Sequence, residues 1–316
     1  MNISLTQPLS RAWKRMIRAL FKPFDISVWF IVGFTAFLYG LTESPFPGSG
    51  INLDDEDIHD IQELLDIPQS IWEWFQANPV WGYLIVLGIL LLIILLFLLT
   101  WLSSRGAFMF LDNVVHKRAQ VVKPWNDFRK AGNSVFIWRI LFGIMVLALF
   151  IVIAALIIFS VVLIQTDVFT EFPVFLIIAL SLISLIMVIV ILYISMFLNN
   201  FVIPIMYHKG VMVLEGWRLF LRLFREHMSD FVLYGLFLFA FYIALGITIV
   251  LAGILTCCIG FLILVIPYLN SVILLPVSYT LRAYSVDFLE QFGSEFEIYP
   301  KEHEDKSVKN ISPTDQ

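Results

Sequence analysis

Charge is scarce in this chain, and basic residues are missing altogether from long parts of it. Only 14% of the 316 residues are charged, whereas a soluble domain carries roughly 25%. The 20 Lys and Arg residues fall in four clusters, which are separated by apolar stretches and by loops that hold acids but no bases. The clusters are Arg11–Lys22, Arg105–Arg139, Lys209–Arg225 and Arg282–Lys309. Because nucleic acid binds to basic domains and none is present, we expect no nucleic-acid partner.

Cysteine and the common catalytic motifs are equally sparse. The only two cysteines, Cys257 and Cys258, are adjacent in an apolar run. Neighbouring cysteines rarely reach disulfide geometry, and two thiols form no metal framework. The sequence also lacks the H-E-x-x-H, G-x-S-x-G, Walker A and G-x-G-x-x-G motifs. We therefore predict no catalytic residue, no metal site and no cofactor, with a membrane-embedded enzyme as a minor alternative.

Apolar residues, in contrast, make up 60% of the chain and give it a mean hydropathy of +0.89. A helix that crosses a membrane needs roughly 20 apolar residues. Six spans are predicted on this basis: Ile26–Leu41, Val80–Leu102, Val135–Ile164, Phe172–Met206, and two within Phe231–Tyr279 with a turn in Ala252–Gly260. The predicted fold class is all-α, a polytopic membrane protein with six transmembrane helices.

The four basic clusters also predict an orientation. The positive-inside rule assigns all of them to the cytoplasmic side, so both termini are expected in the cytoplasm of a cell whose inner membrane holds the protein. Residues 1–289 are predicted to form a single transmembrane domain with an acidic outer loop at 42–79. Residues 290–316 are acidic and poor in apolar residues, and they are predicted to be a disordered cytoplasmic tail.

An internal repeat runs through the chain. The pattern H-K-x7-W-x-x-F begins at His116 and again at His208, which places Trp125 and Trp217 at equivalent positions. Combined with the spans, the repeat predicts three pseudo-repeated hairpins, each preceded by an amphipathic interfacial helix on the cytoplasmic side.

These amphipathic segments combine aromatic residues with Lys and Arg at helical spacing, a composition that lies in the membrane interface and attracts anionic lipid. Membrane lipids, especially anionic headgroups, and other membrane proteins are the expected partners. The alternative is that the helices pack on the bundle and only set its orientation. The candidate lipid-contact residues are Trp13, Arg15, Arg18, His116, Trp125, His208, Trp217 and Arg222.

Small polar pairs follow a leucine in each even-numbered span. In apolar surroundings such side chains hydrogen-bond across helices, for about 0.6–2 kcal/mol each. We predict that they form a polar cluster, which either binds a headgroup or ion or simply holds the helices together. The pairs are Ser103-Ser104, Asn199-Asn200 and Asn270-Ser271.

The stretch PIMYHKGVMVLEGWRLFLRLF, Pro204 to Phe224, resembles the signature of a bacterial six-helix membrane-domain family. That family includes the membrane part of some glycerophosphodiester phosphodiesterases and related uncharacterised membrane proteins. The catalytic barrel of some members has no counterpart here, so the resemblance implies a multi-pass module without phosphodiesterase activity. We expect a non-catalytic module that organises lipids or partner proteins, and a transporter or passive pathway for a lipid or small solute is the alternative.

Overall fold

A computed structural model of the chain describes residues 3–42, 73–165, 171–256, 260 and 264–300. The described residues are helical and include no strand, which confirms the all-α prediction. Most of the predicted outer loop (43–72), and residues 301–316 of the predicted tail, lie outside the described residues.

Eleven α-helices with defined bounds make up most of the described fold, and a further helical stretch at 73–77 precedes the third of them. A π-helical turn, Leu198–Val202, joins α6 to α7, and two short 3-10 turns, Glu290–Phe292 and Ser294–Phe296, follow α11. In chain order the helices are α1 (Thr6–Leu20), α2 (Ile26–Gly40), α3 (Pro79–His116), α4 (Val122–Asp127), α5 (Arg129–Gln165), α6 (Glu171–Phe197), α7 (Ile203–Lys209), α8 (Val213–Glu226), α9 (Met228–Leu255), α10 (Pro267–Ile273) and α11 (Leu275–Leu289).

Four stretches of the described chain are long and apolar enough to cross a membrane: α3, α5, α6 with its continuation into α7, and α9. The pair α10–α11 makes a fifth if it counts as one span bent by 65°. Pro267 and Pro276 stand at the first positions of these two helices, where a missing N–H is tolerated. Because α2 has only 15 residues, it is shorter than a full crossing requires. A membrane-embedded protein is thus supported, while six spans and three repeats stay predictions.

Burial divides the molecule into two parts. The long apolar stretches are mostly exposed, which suits helices surrounded by lipid. The packed part, which we call the base, consists of the largely buried segments Ser103–Val115, Asn199–Met206 and Thr280–Leu289 together with α1 and α8.

Aromatic rings form the centre of the base. Phe201, on the π-helical turn, stacks on Phe220 with ring centroids 5.6 Å apart and an angle of 5° between the planes. It also meets the edge of Phe231 and the ring of Tyr234, each at 4.9 Å. The same ring lies 5.9 Å from that of Phe288 in α11. One side chain therefore connects α8, α9 and α11 to the end of α6.

Two glycines let helices of the base approach closely. A Cβ at Gly106 of α3 would lie 2.6 Å from the backbone nitrogen of Tyr39, so α2 and α3 touch backbone to backbone. A Cβ at Gly216 of α8 would lie 2.8 Å from Met206 Cγ, so α8 rests directly on α7.

The chain after α11 differs from the prediction of a tail that is disordered from residue 290. Glu290 accepts hydrogen bonds from the backbone N–H groups of Ile298 and Tyr299, both at 2.9 Å. Ile298 is buried in the core of the base. The ordered domain therefore extends to at least residue 300, because a few apolar residues and one carboxylate fold this segment back.

Candidate functional site

Asn199 lies in the π-helical turn and is the centre of a polar network in the base. It is only 3% exposed. Its side-chain oxygen accepts a hydrogen bond from Arg139 of α5 at 2.7 Å, and its amide donates to the Ser195 carbonyl at 2.9 Å. Wider π-helical turns within α-helices occur frequently at functional sites. Asn199 therefore connects α5 to the end of α6.

A second guanidinium approaches the same turn from α11. Arg282 is buried, and it donates to the backbone carbonyls of Asn199 and of Ala107 in α3, the latter at 3.1 Å. Its guanidinium carbon also lies 5.3 Å from the centre of the Tyr39 ring. Arg282 thereby ties α11 to both α3 and the π-helical turn.

Ser103 extends the network to α2. Its hydroxyl donates to the Tyr39 carbonyl at 2.8 Å, lies 2.7 Å from the Thr42 hydroxyl and accepts from Arg139 at 3.1 Å. Ser103 and Asn199, predicted to belong to one cluster, are indeed joined. The joining residue, Arg139, was missed, because one arginine near the end of a predicted span looks like a side chain that reaches for the interface.

The remaining polar residues of the predicted cluster do not join the network. Ser104 donates to the Thr100 carbonyl within its own helix, and Asn200 is only half-buried. Ser271 donates to the Pro267 carbonyl within α10. The side-chain oxygen of Asn270 is buried and has no hydrogen-bond partner in the described part of the chain. The prediction that all three pairs converge was therefore wrong for the third, because α10 packs on α2 rather than beside Asn199.

A second polar cluster surrounds Asp112 near the end of α3. Arg118 pairs with this buried carboxylate through two nitrogens, the shortest contact being 2.6 Å. The Tyr207 hydroxyl donates to Asp112 at 2.9 Å and lies 3.1 Å from His116 Nδ1. The repeat predicted equivalent roles for His116 and His208, and both residues are exposed. They differ because His116 lies 3.3 Å from Asp112 and contacts Tyr207, contacts that the described part of the chain does not show for His208.

Trp125 covers an arginine instead of lying free at the surface. The guanidinium carbon of Arg105 is 4.4 Å from the centre of the Trp101 ring and 4.7 Å from that of Trp125. Arg105 also donates to the Asn133 side-chain oxygen at 3.0 Å. Two aromatic faces and an amide thus solvate a cation that is 7% exposed.

The N-terminal helix α1 packs on α11 through an ion pair. Arg15 lies 3.3 Å from the buried carboxylate of Asp287, and its guanidinium stands 3.6 Å over the Tyr299 ring. Burial raises the pKa of Tyr299 well above its usual range, and the nearby Asp287 acts in the same direction, so the phenol stays neutral. Arg15 was predicted to contact lipid, but its charge is directed into the base.

The eight predicted lipid-contact residues thus divide into two groups. Four are exposed and take no part in the contacts described above: Trp13, Arg18, His208 and Arg222. Four make the contacts described above or, for Trp217, stack on Trp138 of α5 at 5.4 Å: Arg15, His116, Trp125 and Trp217. Helical periodicity predicted the amphipathic helices, but it could not distinguish the residues that pack from those that stay at the surface.

Most polar groups of the base are occupied by contacts that hold helices together. No group of three His, Cys, Asp or Glu side chains able to hold a metal occurs among the residues that the structure describes. What is left accessible is the outer surface of α1 and α8, where exposed apolar and basic side chains adjoin.

A profile described as a family of unknown function, DUF7544, matches residues 4–277, and the chain belongs to this family. No curated protein and no solved structure shows a significant match to the chain. The resemblance to the membrane part of glycerophosphodiester phosphodiesterases therefore stays a prediction.

Proposed function

We propose that this member of DUF7544 is a multi-pass protein of the cytoplasmic membrane, whose non-catalytic base organises anionic lipids and membrane-protein partners. The observation that carries the proposal is the surface of α1 and α8. Both helices belong to the same packed base and present a basic side, which is accompanied by the exposed Trp13 in α1 and by the exposed Leu214 and Leu221 in α8. This composition favours the interface of a membrane that contains anionic lipid.

The division into base and spans supports a cytoplasmic orientation of the base. The described cations lie in or beside it, at the ends of the long apolar helices. The positive-inside rule then assigns the base and both termini to the cytoplasm. A fixed platform in this position could hold lipid headgroups on one side and neighbouring proteins on another.

Thiol labelling of intact cells tests this orientation. In a background with Cys257→Ser and Cys258→Ser, a cysteine is introduced at Lys123, on α4 beside the base, or at Gln76, near the opposite end of α3. A membrane-impermeant maleimide should label Gln76→Cys from outside, and Lys123→Cys only after the cells are opened. Labelling of Lys123→Cys in intact cells would contradict the proposed cytoplasmic orientation of the base.

Lipid preference of the purified full-length protein tests the role itself. Native mass spectrometry should record tighter binding of phosphatidylglycerol than of phosphatidylcholine with the same acyl chains, and salt should weaken the difference. Equal affinity for both lipids would contradict a role in organising anionic lipid.

A pathway for a lipid or small solute is the second candidate. The π-helical turn at Leu198–Val202 and the 65° bend between α10 and α11 favour it, because interrupted helices are common in carriers. Against it, Asn199 and Ser103 are bound to neighbouring helices rather than lining an open path.

Liposome assays separate the two candidates. The reconstituted protein is tested for scrambling of a fluorescent phospholipid and for release of carboxyfluorescein, beside an Asn199→Leu variant. Activity above protein-free vesicles that Asn199→Leu abolishes would favour the pathway, and background rates for both would favour the platform. No arrangement of side chains in the described part of the chain favours a membrane-embedded enzyme.

A further inference from the structure

We infer that the outer face of α8 is a binding site for the phosphate-bearing headgroup of an acidic phospholipid. The inference rests on the proposed function and assigns one ligand class to one site. The face holds a shallow, open groove of about 570 Å³ that is lined by side chains of α8 alone. Leu214, Trp217 and Leu221 line its apolar side, and the basic side is formed by three arginines: Arg218, Arg222 and Arg225.

The groove arises because α8 has three sides instead of the two of a simple amphipathic helix. At 3.6 residues per turn, Leu214, Trp217 and Leu221 share one side, and the three arginines share the next. The third side packs into the base through Val213, Gly216, Phe220 and Leu223. Leu214 is 74% exposed and Leu221 is 42% exposed, so part of the apolar surface remains after α8 has packed.

The groove is held in place by its neighbours. The Trp217 ring stacks on Trp138, which in turn stacks on Phe142 at 4.9 Å. These rings continue from the groove along α5 towards its apolar span. The backbone N–H of Val213 donates to the Ser134 hydroxyl of α5 at 3.2 Å. The apolar side of the groove thus adjoins the region that hydrocarbon chains would occupy.

Charge favours an anion as the occupant. Three guanidinium groups line the groove beside a single carboxylate, Glu226. Among the described residues, no carboxylate forms an ion pair with Arg218, Arg222 or Arg225. Guanidinium groups bind phosphate oxygens through paired hydrogen bonds. An acidic phospholipid matches both sides at once, since its headgroup meets the arginines and its acyl chains cover the exposed leucines, which a soluble anion would leave in water.

Titration of the detergent-purified full-length protein with phosphatidylglycerol, followed by native mass spectrometry, tests the site. The double variant Arg218→Gln/Arg222→Gln removes two charges from the groove. Lys123→Gln/Lys130→Gln removes two exposed charges from outside α1 and α8 and serves as the matched control. We expect the groove variant to lose about 30-fold in phosphatidylglycerol affinity, as two near-surface charges predict, and the control to lose far less. Affinity for phosphatidylcholine should not change in either.

A second pair of measurements tests the apolar side. Leu214→Gln should weaken phosphatidylglycerol binding several-fold, because the acyl chains lose contact area, and glycerol 3-phosphate should bind far more weakly than the lipid. Unchanged binding by the groove variant, equal losses in groove variant and control, or equal affinity for glycerol 3-phosphate would each overturn the site. These results leave the proposed function standing if the unmodified protein still prefers phosphatidylglycerol. Absence of that preference in the unmodified protein would contradict both the lipid site on α8 and the proposed function.

Discussion

From Leu84 to Leu98, α3 leaves every large apolar side chain 42–57% exposed, and from Ser103 to Val115 no side chain of the same helix exceeds 7%. The two halves share one continuous helix of 38 residues. Their composition differs: the first half is almost entirely Leu, Ile and Val, and the second mixes aromatic, small and polar residues. The comparison indicates that the apolar half is accommodated by lipid, whereas the mixed half is accommodated by protein.

The physical reason lies in the solvent that each half meets. In hydrocarbon, helices have no hydrophobic drive towards one another, so they associate only through close packing and hydrogen bonds. The second half supplies both, through Gly106 against α2 and through Ser103 and Asp112. A run of leucines supplies neither. Substitutions should therefore be costly in the base and mild in the spans.

The largest difference is expected for phenylalanine. Phe201→Ala should lower the free energy of unfolding by about 3–5 kcal/mol, because it opens a cavity among five aromatic neighbours. Phe159→Ala in α5 should cost little, since Phe159 is 58% exposed and lipid can fill the space. Thermal unfolding of both variants in lipid nanodiscs measures the difference. Similar losses would mean that the spans pack as tightly as the base.

A buried carboxylate gives the next largest effect. Asp112→Asn should cost about 1.5–3 kcal/mol, because hydrogen bonds to Arg118 and Tyr207 lose their charged acceptor. Asp127→Asn is the control, since Asp127 is exposed on α4. Denaturation in a series of detergent mixtures would measure both. A neutral Asp112→Asn variant would show that this cluster does not stabilise the base.

Substitutions at two glycines allow a direct comparison of the two halves of α3. Gly106→Ala should cost about 1–3 kcal/mol, because the new methyl group would lie 2.6 Å from backbone of α2. Gly88→Ala should be neutral or slightly stabilising, because no atom lies within 4 Å of its added Cβ and alanine favours helix. The melting temperatures of the two single variants measure this difference in stability. A harmless Gly106→Ala would place α2 farther from α3 than described.

The smallest contrast concerns two fully buried serines. Ser103→Ala removes hydrogen bonds to α2 and to Arg139, and it should cost about 0.6 kcal/mol. Ser160→Ala removes only a bond to the Leu156 carbonyl of its own helix, and it should be close to neutral. Replicate thermal unfolding scans can resolve such a difference in stability between the two variants. A larger loss for Ser160→Ala would reverse the assignment of cross-helix contacts.

Parts of the candidate site could be predicted from the sequence. Asn199 and Ser103 were identified because polar residues in apolar runs need partners, and Trp217 and Arg222 because amphipathic periodicity is visible along α8. The partners themselves could not be predicted. Arg139, Arg282 and Tyr207 come from other helices, and only the packing of those helices brings them to Asn199 and Asp112.

Composition and hydropathy by themselves determined the helical, membrane-embedded class of this chain, because hydropathy and periodicity are local properties of the sequence. Tertiary structure alone decided which polar pairs meet, that Arg15 turns inward to Asp287, and that α8 keeps an apolar side exposed beside the side that packs. Those outcomes depend on helix crossings set by close contacts such as Gly106 on α2 and Gly216 on α7. Such contacts link residues far apart in sequence, so no local pattern records them.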